Sequence, residues 1–216
     1  MLPEIKQIKT GVYQQARMAL RHLLGNDEMI NRVTKDSFFD YHAKGLHYLS
    51  LGMSSDGNRM KLYFFDKAAT GGSHVVCPHD HVYDFDTIVF TGEAEDEWFE
   101  ETSVDDQNGD RHTKFSFDSP IRGGKNGFQF VEEVGLRSLG TSRAVAGRGW
   151  STPGDAVHTL RIRRPETVLI MRQKPDDKES SFTFTPGSDR EPPSLSGLYR
   201  KPSATEYKRL MRKILA

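Results

Sequence analysis

Residues 46–185 break into about ten short runs, each rich in alternating or contiguous apolar residues and each closed by turn-forming residues. His47-Tyr-Leu-Ser-Leu51 alternates, Ser54-Ser-Asp-Gly-Asn58 is a turn, and Met60-Lys-Leu-Tyr-Phe-Phe65 is the next run. Further runs occupy residues 86–91, 95–102, 111–118, 128–137, 143–150, 156–163, 167–173 and 180–185. Gly92, Asn108-Gly109, Ser151-Thr-Pro-Gly-Asp155 and Arg164-Pro165-Glu166 punctuate them. Short runs with a side-chain period of two, bounded by Gly, Asn, Asp or Pro, read as strands. Successive strands without long helical periods between them predict an all-β sandwich or barrel rather than a parallel sheet wound with helices.

Helical patterns flank this region. Residues 3–24 read as a helical arm: Pro3 suits a first turn, and Ile5, Ile8 and Val12 start a stripe that Ala16, Leu20, Leu23 and Leu24 continue. Gly11 bends or divides the arm, Gly25 reads as its C-cap, and Asp27 as the cap of a short second helix. Residues 36–44, with Phe38, Phe39 and Tyr41, read as a short helix or turn stopped at Gly45. Ser203 with Glu206 forms a capping-box signal for a terminal helix ending near Leu215. The expected organisation is a helical arm over 1–45 packing on the barrel, a barrel over 46–185, and a linker with a basic helix over 186–216. The arm's stripe packs on the chain's own sheet or serves a homodimer contact.

Lys plus Arg and Asp plus Glu stand at 30 each, which gives no general attraction to nucleic acid or to an anionic membrane. A lone cysteine, Cys77, excludes an internal disulfide framework and fits a reducing compartment. With no basic apolar leader and no apolar run near 18 residues, a cytoplasmic protein without membrane contact is expected. Nine acidic and no basic residues lie between Glu93 and Asp110, a pattern that reads as a solvated hairpin surface. Gly123-Gly-Lys-Asn-Gly127 lacks the P-loop spacing and reads as a turn lining a cavity mouth, not a phosphate cradle. From Leu198 onward six Lys/Arg oppose one Glu, which reads as a solvated helix face with Tyr207, Leu210, Met211 and Ile214 docked inward.

The chemistry concentrates in Val75-Val-Cys-Pro-His-Asp-His-Val-Tyr-Asp-Phe-Asp86. His79 and His81 stand two apart, so an extended backbone presents both imidazoles to one side. His158, in the strand-like run 156–163, can supply a third nitrogen from across a barrel. Three neutral imidazoles suit Fe(II), Zn(II), Mn(II) or Ni(II) and leave positions open. Tyr83, Asp84 and Asp86 follow the paired histidines and are candidate supporting groups, Asp86 also as a fourth ligand. Cys77 shares parity with His79 and reads as a small buried hydrophobe. His47, His74 and His112 are isolated and are not assigned as ligands. Arg143, Arg161 and Arg163 are candidates for a substrate carboxylate, although Arg161 and Arg163 differ from His158 by odd intervals and should point outward. Trp150 is a candidate cavity wall or cover.

These residues resemble the cupin superfamily. Gly72, His79, His81 and Gly92 are similar to its first motif, and Pro153, Gly154 and His158 to its second, with one extra residue between glycine and histidine. The likeness covers roughly residues 60–175 and leaves out both helical ends. Where the first motif often carries glutamate, this chain offers Phe85 or Asp86. That departure resembles the three-histidine subset typified by thiol dioxygenases, without the cysteine and tyrosine pattern of a cysteine dioxygenase. The resemblance implies a double-stranded β-helix (jelly-roll, cupin barrel) with helical extensions. It implies Fe(II) on His79, His81 and His158, with Tyr83 and Asp86 as catalytic support. The implied activity is a metal-dependent oxidoreductase, a dioxygenase using O2 on a small thiol or enol, in a family that often dimerises. Two rivals stand beside it: a redox-neutral lyase or isomerase using Zn(II), Mn(II) or Ni(II), and a non-catalytic binder of small molecules or nucleic acid, the latter suggested by the basic tail.

Overall fold

The computed structural model describes residues 6–7, 10–70, 73–118 and 127–216. Pro3, Ile5, Ile8, Gly72 and the glycine-rich residues 123–126 lie outside the described residues, as does the side chain of Val12. The order is β1 (Lys6–Gln7), α1 (Thr10–Leu24), α2 (Asp27–Thr34), β2 (Leu46–Met53), β3 (Arg59–Phe65), β4 (Phe85–Thr91), β5 (Glu93–Thr102), β6 (Asp110–Asp118), β7 (Gly127–Val145), β8 (Arg148–Thr152), β9 (Val157–Ile162), β10 (Thr167–Gln173), β11 (Ser181–Pro186) and α3 (Ala204–Leu215). Two sheets form, one of six strands in the order β1-β8-β4-β10-β3-β2 and one of five in the order β11-β6-β7-β5-β9. Their strand pairings are antiparallel.

Side-chain alternation divides the six-stranded sheet into two buried faces. Tyr63 and Phe65 of β3, Leu46 and Tyr48 of β2, Leu169 and Met171 of β10, and Phe85 and Val89 of β4 join one core with Trp98 and Trp150. The intervening Leu62, Phe64, Leu49, Val168, Ile170 and Phe90 join a second core with the helices. Leu20 and Leu23 of α1, Ile30 and Val33 of α2, and Tyr207, Met211 and Ile214 of α3 cover that second face. A sheet dressed on one face by helices thus keeps its other face for the space between the sheets. Ala16, Leu20, Leu23 and Leu24 of the arm join this second core, and α1 meets it through α2 and α3.

α3 starts with a complete capping box, in which Ser203 Oγ accepts from the Glu206 amide at 3.2 Å and Glu206 accepts from the Ser203 amide at 2.8 Å. Tyr207, with no exposed surface, donates its hydroxyl to the Ser50 carbonyl of β2 at 2.8 Å, pinning the helix to the sheet. Gly92 joins β4 to β5 with a φ of 80°, and a Cβ there would collide with Thr167. Only glycine meets both conditions at the hairpin.

Several expectations need correction. Lys6–Gln7 is a strand on β8, and α1 begins only at Thr10. Asn26, not Asp27, caps α2, accepting from the Met29 amide at 3.0 Å. Residues 36–44 are not a helix; Phe38 and Phe39 make bridges to Tyr48 and Arg200. The run 128–137 does not end there: β7 is continuous over the 19 residues Gly127–Val145, pairing first with β6 and then with β5, so the run 143–150 is divided between the end of β7 and the start of β8. Its Ser-Leu-Gly-Thr-Ser middle lacks the apolar alternation of a strand because much of it faces solvent, and partners on both edges hold it extended. Among the described residues no helix is long and apolar enough to cross a membrane.

Leu62→Ala and Met211→Ala should each lower unfolding free energy by about 2–5 kcal/mol, because both side chains are fully buried. Urea unfolding should show a single transition that moves in both variants. A Met211→Ala shift confined to a separate helical transition would contradict the shared core.

Candidate metal centre

The segment between β3 and β4 is irregular rather than a strand, yet it is fixed at several points. His79 and His158 exchange both backbone hydrogen bonds, each 2.9 Å, in an isolated bridge. The His81 amide donates to the Gly154 carbonyl at 2.8 Å, and the Gly154 amide donates to Asp84 Oδ1 at 2.9 Å. A Cβ at Gly154 would stand 3.0 Å from the backbone of Tyr83, so the turn before β9 needs glycine to approach this closely. These contacts carry three imidazoles to one place. The ring centroids of His79 and His81 are 4.7 Å apart, those of His79 and His158 5.1 Å, and those of His81 and His158 5.2 Å. One ring nitrogen from each lies within 4.8 Å of the others.

Their tautomers follow from their partners. His79 Nδ1 is 2.9 Å from the Cys77 carbonyl, which can only accept, so Nδ1 carries the proton and Nε2 a lone pair. His158 Nδ1 donates to Asp96 Oδ1 at 2.6 Å, which likewise leaves Nε2 as a lone pair. His81 Nε2 stands 3.0 Å from His158 Nε2. Two nitrogens bound cis at about 2.1 Å to one metal stand about 3.0 Å apart, so this spacing fits a shared cation. Burial first, then neighbouring His158, pushes the His79 pKa down to about 3. Burial first, then His79 and His158, holds that of His81 well below the usual range. Both rings are therefore kept neutral, the form that binds metal. The donor set fits a divalent transition metal.

Asp96 was read from sequence as part of a solvated acidic hairpin; it has no exposed surface. Burial pushes its carboxyl pKa up, and His158 and the Trp98 indole oppose that shift. Its parity with Ala94 and Trp98, both inward, was the available signal. The neighbouring Glu93, Glu95 and Glu97 instead pair with Arg143, Arg163 and Arg161, so those arginines serve the outer face of β5 rather than a substrate. Asp86 also needs correction: it points away from the histidines, accepting from Ser151 Oγ at 2.7 Å and from Arg172 Nε at 3.0 Å. It is neither a fourth ligand nor a support of the cage, because alternation on β4 puts Phe85 and Thr87 inward.

Tyr83 is buried beside His81, ring centroids 5.3 Å apart, and its hydroxyl accepts from Lys61 Nζ at 3.1 Å. Sequence reading passed over Lys61, although it shares parity with the inward Tyr63 and Phe65. It also passed over His42, whose Nδ1 stands 2.7 Å from the Tyr199 hydroxyl and which lines the same cavity. Trp150 lines this cavity, as expected of a wall, and Cys77, expected to be a small buried hydrophobe, is half-buried and lines it too. The cavity holds about 830 Å3 and reaches His79, His81 and His158. That is the size of a small-molecule site. His47 and His112 lie elsewhere, bonded to the Asp40 amide and the Asp110 carbonyl, while His74 stands at the cavity wall on Glu97.

No protein-family model matches the chain. No curated protein matches it in sequence. Among solved structures, it is similar to the hydroquinone 1,2-dioxygenase PnpCD in complex with Cd2+ and 4-hydroxybenzonitrile at 16% identity, covering 67% of this chain and 69% of that one, with a TM-score of 0.34. The hydroquinone 1,2-dioxygenase of Sphingomonas sp. TTNP3 with 4-hydroxybenzoate bound matches at 12% identity, 58% and 64% coverage and a TM-score of 0.33. Drosophila melanogaster CENP-C bound to CAL1 matches at 11%, 74% and 98% coverage, with 0.37. Likenesses this distant carry no argument about activity.

Asp96→Asn should weaken metal binding about 10–100-fold, since it removes the charge that supports His158. Asp86→Asn should change it only a few-fold. Competition with a chelator measures both, and equal effects would contradict the assignment. His42 gives a pH prediction: burial, then Lys61, pushes its pKa down to about 3. Unfolded histidine titrates near about 6.5, so below that pH the unfolded chain takes up a proton that the folded chain refuses. Stability falls as pH drops from about 6.5 toward 3. His42→Gln should flatten that dependence by up to about 1.4 kcal/mol per pH unit, read by urea unfolding between pH 4 and 6.

Proposed function

We infer that this chain is a cupin-type metalloenzyme, a double-stranded β-helix that uses Fe(II) and O2 to oxidise a small organic substrate of the thiol or enol class. The observation that supports this most is the convergence of three imidazoles, His79, His81 and His158, with two tautomers fixed by Cys77 and Asp96, on a cavity of about 830 Å3. A cage without a carboxylate ligand keeps the charge of the ion undiminished, which favours direct approach of a thiolate or enolate.

His79, His81 and His158 would hold Fe(II), which would supply the redox chemistry for O2 and an organic anion. The protein's share is positional and electrostatic. His79 is locked by its backbone bridge to His158, and His158 by Asp96, so both nitrogens keep their aim during turnover. Phe85 and Trp98 pack beside His158, with ring centroids 5.7 and 5.8 Å away, and keep water from the inner side of the cage. Tyr83 stands next to His81 with its hydroxyl on Lys61, placing a polar handle at the edge of the site. A reducing, cytoplasmic setting suits both Fe(II) and the single cysteine.

Protein purified without metal-affinity resin should contain close to one transition-metal ion per chain, and His81→Ala should lose most of it. Iron-loaded protein should consume O2 when offered a panel of small thiols and enols. Full metal occupancy in His81→Ala would overturn the cage. Turnover without O2 that persists with Zn(II) would overturn the redox assignment in favour of lyase or isomerase chemistry.

A further inference from the structure

Two segments outside the strands bring a second polar pair to the cavity. His42 lies between α2 and β2, and Tyr199 between β11 and α3. His42 Nδ1 stands 2.7 Å from the Tyr199 hydroxyl. The backbone ties the two segments together. Phe39 and Arg200 exchange amide hydrogen bonds of 2.7 and 3.0 Å, and the Tyr199 amide donates to the Asp40 carbonyl at 3.0 Å. Among the described residues four other than glycine have a positive φ, and three of them meet here: Asp40 at 52°, His42 at 62° and Tyr199 at 58°. Left-handed backbone is costly for side chains of this size and collects at functional sites. Glycine would relieve the cost at His42 and Tyr199 but would remove both rings.

Three aromatic rings hold the His42 imidazole edge-on: Tyr41, Tyr199 and Phe117 of β6, with centroids 4.0, 5.4 and 5.8 Å away. With Nδ1 taken by Tyr199, Nε2 has no hydrogen-bond partner among the described residues, and the ring borders the cavity. His42 makes no ring contact with His79, His81 or His158, yet a charge on it would weigh on His79 and His81. All four rings line one cavity, so a stretch of that cavity separates His42 from the cage. Phe38, Tyr48, Phe117 and Phe128 give the cavity flat, largely apolar walls. Burial and then Lys61 oppose a charge on His42, and burial keeps the Tyr199 hydroxyl protonated. The pair is therefore neutral. Depending on which partner donates to the other, Nε2 is a donor or an acceptor. A hydroxyl is both, so it matches either tautomer.

We propose that His42 is a ligand-binding residue set in place by Tyr199, and that its Nε2 takes the hydroxyl of a small hydroxylated aromatic molecule whose opposite end faces the three histidines. This deepens the reading of the cavity as a metalloenzyme site and rests on it for which end of the ligand reacts. Tyr199 is a positioning residue: it occupies Nδ1 and so turns Nε2 to the cavity.

Phenol and fluorobenzene have nearly one shape, and of the two phenol alone carries a hydroxyl. Both are titrated into full-length protein with isotopically labelled histidine, Zn(II)-loaded and stripped of metal with chelator. In metal-free protein phenol should bind about fivefold more tightly than fluorobenzene. Phenol should also move the Nε2 resonance of His42, identified by its absence from His42→Asn, and fluorobenzene should leave it in place. Asparagine tolerates left-handed backbone, and its amide reaches only as far as Nδ1, so His42→Asn keeps a partner for Tyr199 and loses Nε2. That variant should bind the two probes equally, with fluorobenzene affinity and Zn(II) stoichiometry unchanged. Equal affinity for the two probes in the wild type, no phenol binding at tens of millimolar, a His42 resonance that phenol leaves unmoved, or an undiminished preference in folded His42→Asn would each overturn the proposal. The wild-type affinities decide even if His42→Asn does not fold. Protein that holds no Zn(II) but keeps the His42-dependent preference would support this site and contradict the metal reading alone.

Discussion

Two amide hydrogen bonds between His79 and His158, each 2.9 Å, join an irregular segment to the edge of the five-stranded sheet. They hold together residues that are 79 positions apart in chain length only through the intervening strands, since the sequence between them builds β4 to β8. If that bridge opened, His79 and His81 would leave with the segment, while His158 would stay on β9 with Asp96. The surrounding architecture serves this junction. Gly154 allows the segment close to the turn, Asp84 bonds that turn's amide, and Thr159 Oγ1 donates to the Val76 carbonyl at 2.6 Å. A loop fastened at this many points is a scaffold for a site that needs sub-ångström placement.

The division of the six-stranded sheet explains why a cavity survives in a chain of this size. Helices α1, α2 and α3 complete the burial of one face, so the opposite face need not be filled to full density for the sheet to be stable. Aromatic rings, a lysine and three histidines take the place that aliphatic residues would occupy in a closed sandwich. Polar groups placed there cost stability unless they find partners. His158 occupies Oδ1 of Asp96 and Tyr83 bonds Lys61, whereas Asp96 Oδ2 and the Trp150 indole have no hydrogen-bond partner among the described residues.

Much of this was legible from residue order. In Met60-Lys-Leu-Tyr-Phe-Phe65 the strand could be read from composition and alternation, and the histidine spacing located the three imidazoles, because both signals are local. What stayed hidden depended on contacts between distant elements. Asp96 sits in a run of acids, and only the antiparallel pairing of β5 with β9, which sets Asp96 against Leu160 and Trp98 against His158, turns one of them inward to histidine. Asp86 looked well placed along the chain but belongs to the wrong face of β4, where Arg172 and Ser151 claim it. Lys61 was not singled out within its strand, because nothing local says that both faces of β3 are covered. β7 was divided in two for the same reason: its extended middle is imposed by neighbours rather than by its own residues.

The account stands or falls on how many imidazoles surround one ion. X-ray absorption of the iron-loaded full-length protein counts them through the multiple scattering of the rings. Three imidazoles per iron, with light oxygen atoms completing the shell, is the result predicted by the convergence of His79, His81 and His158. Two or fewer imidazoles, or a sulfur scatterer contributed by Cys77, would contradict it.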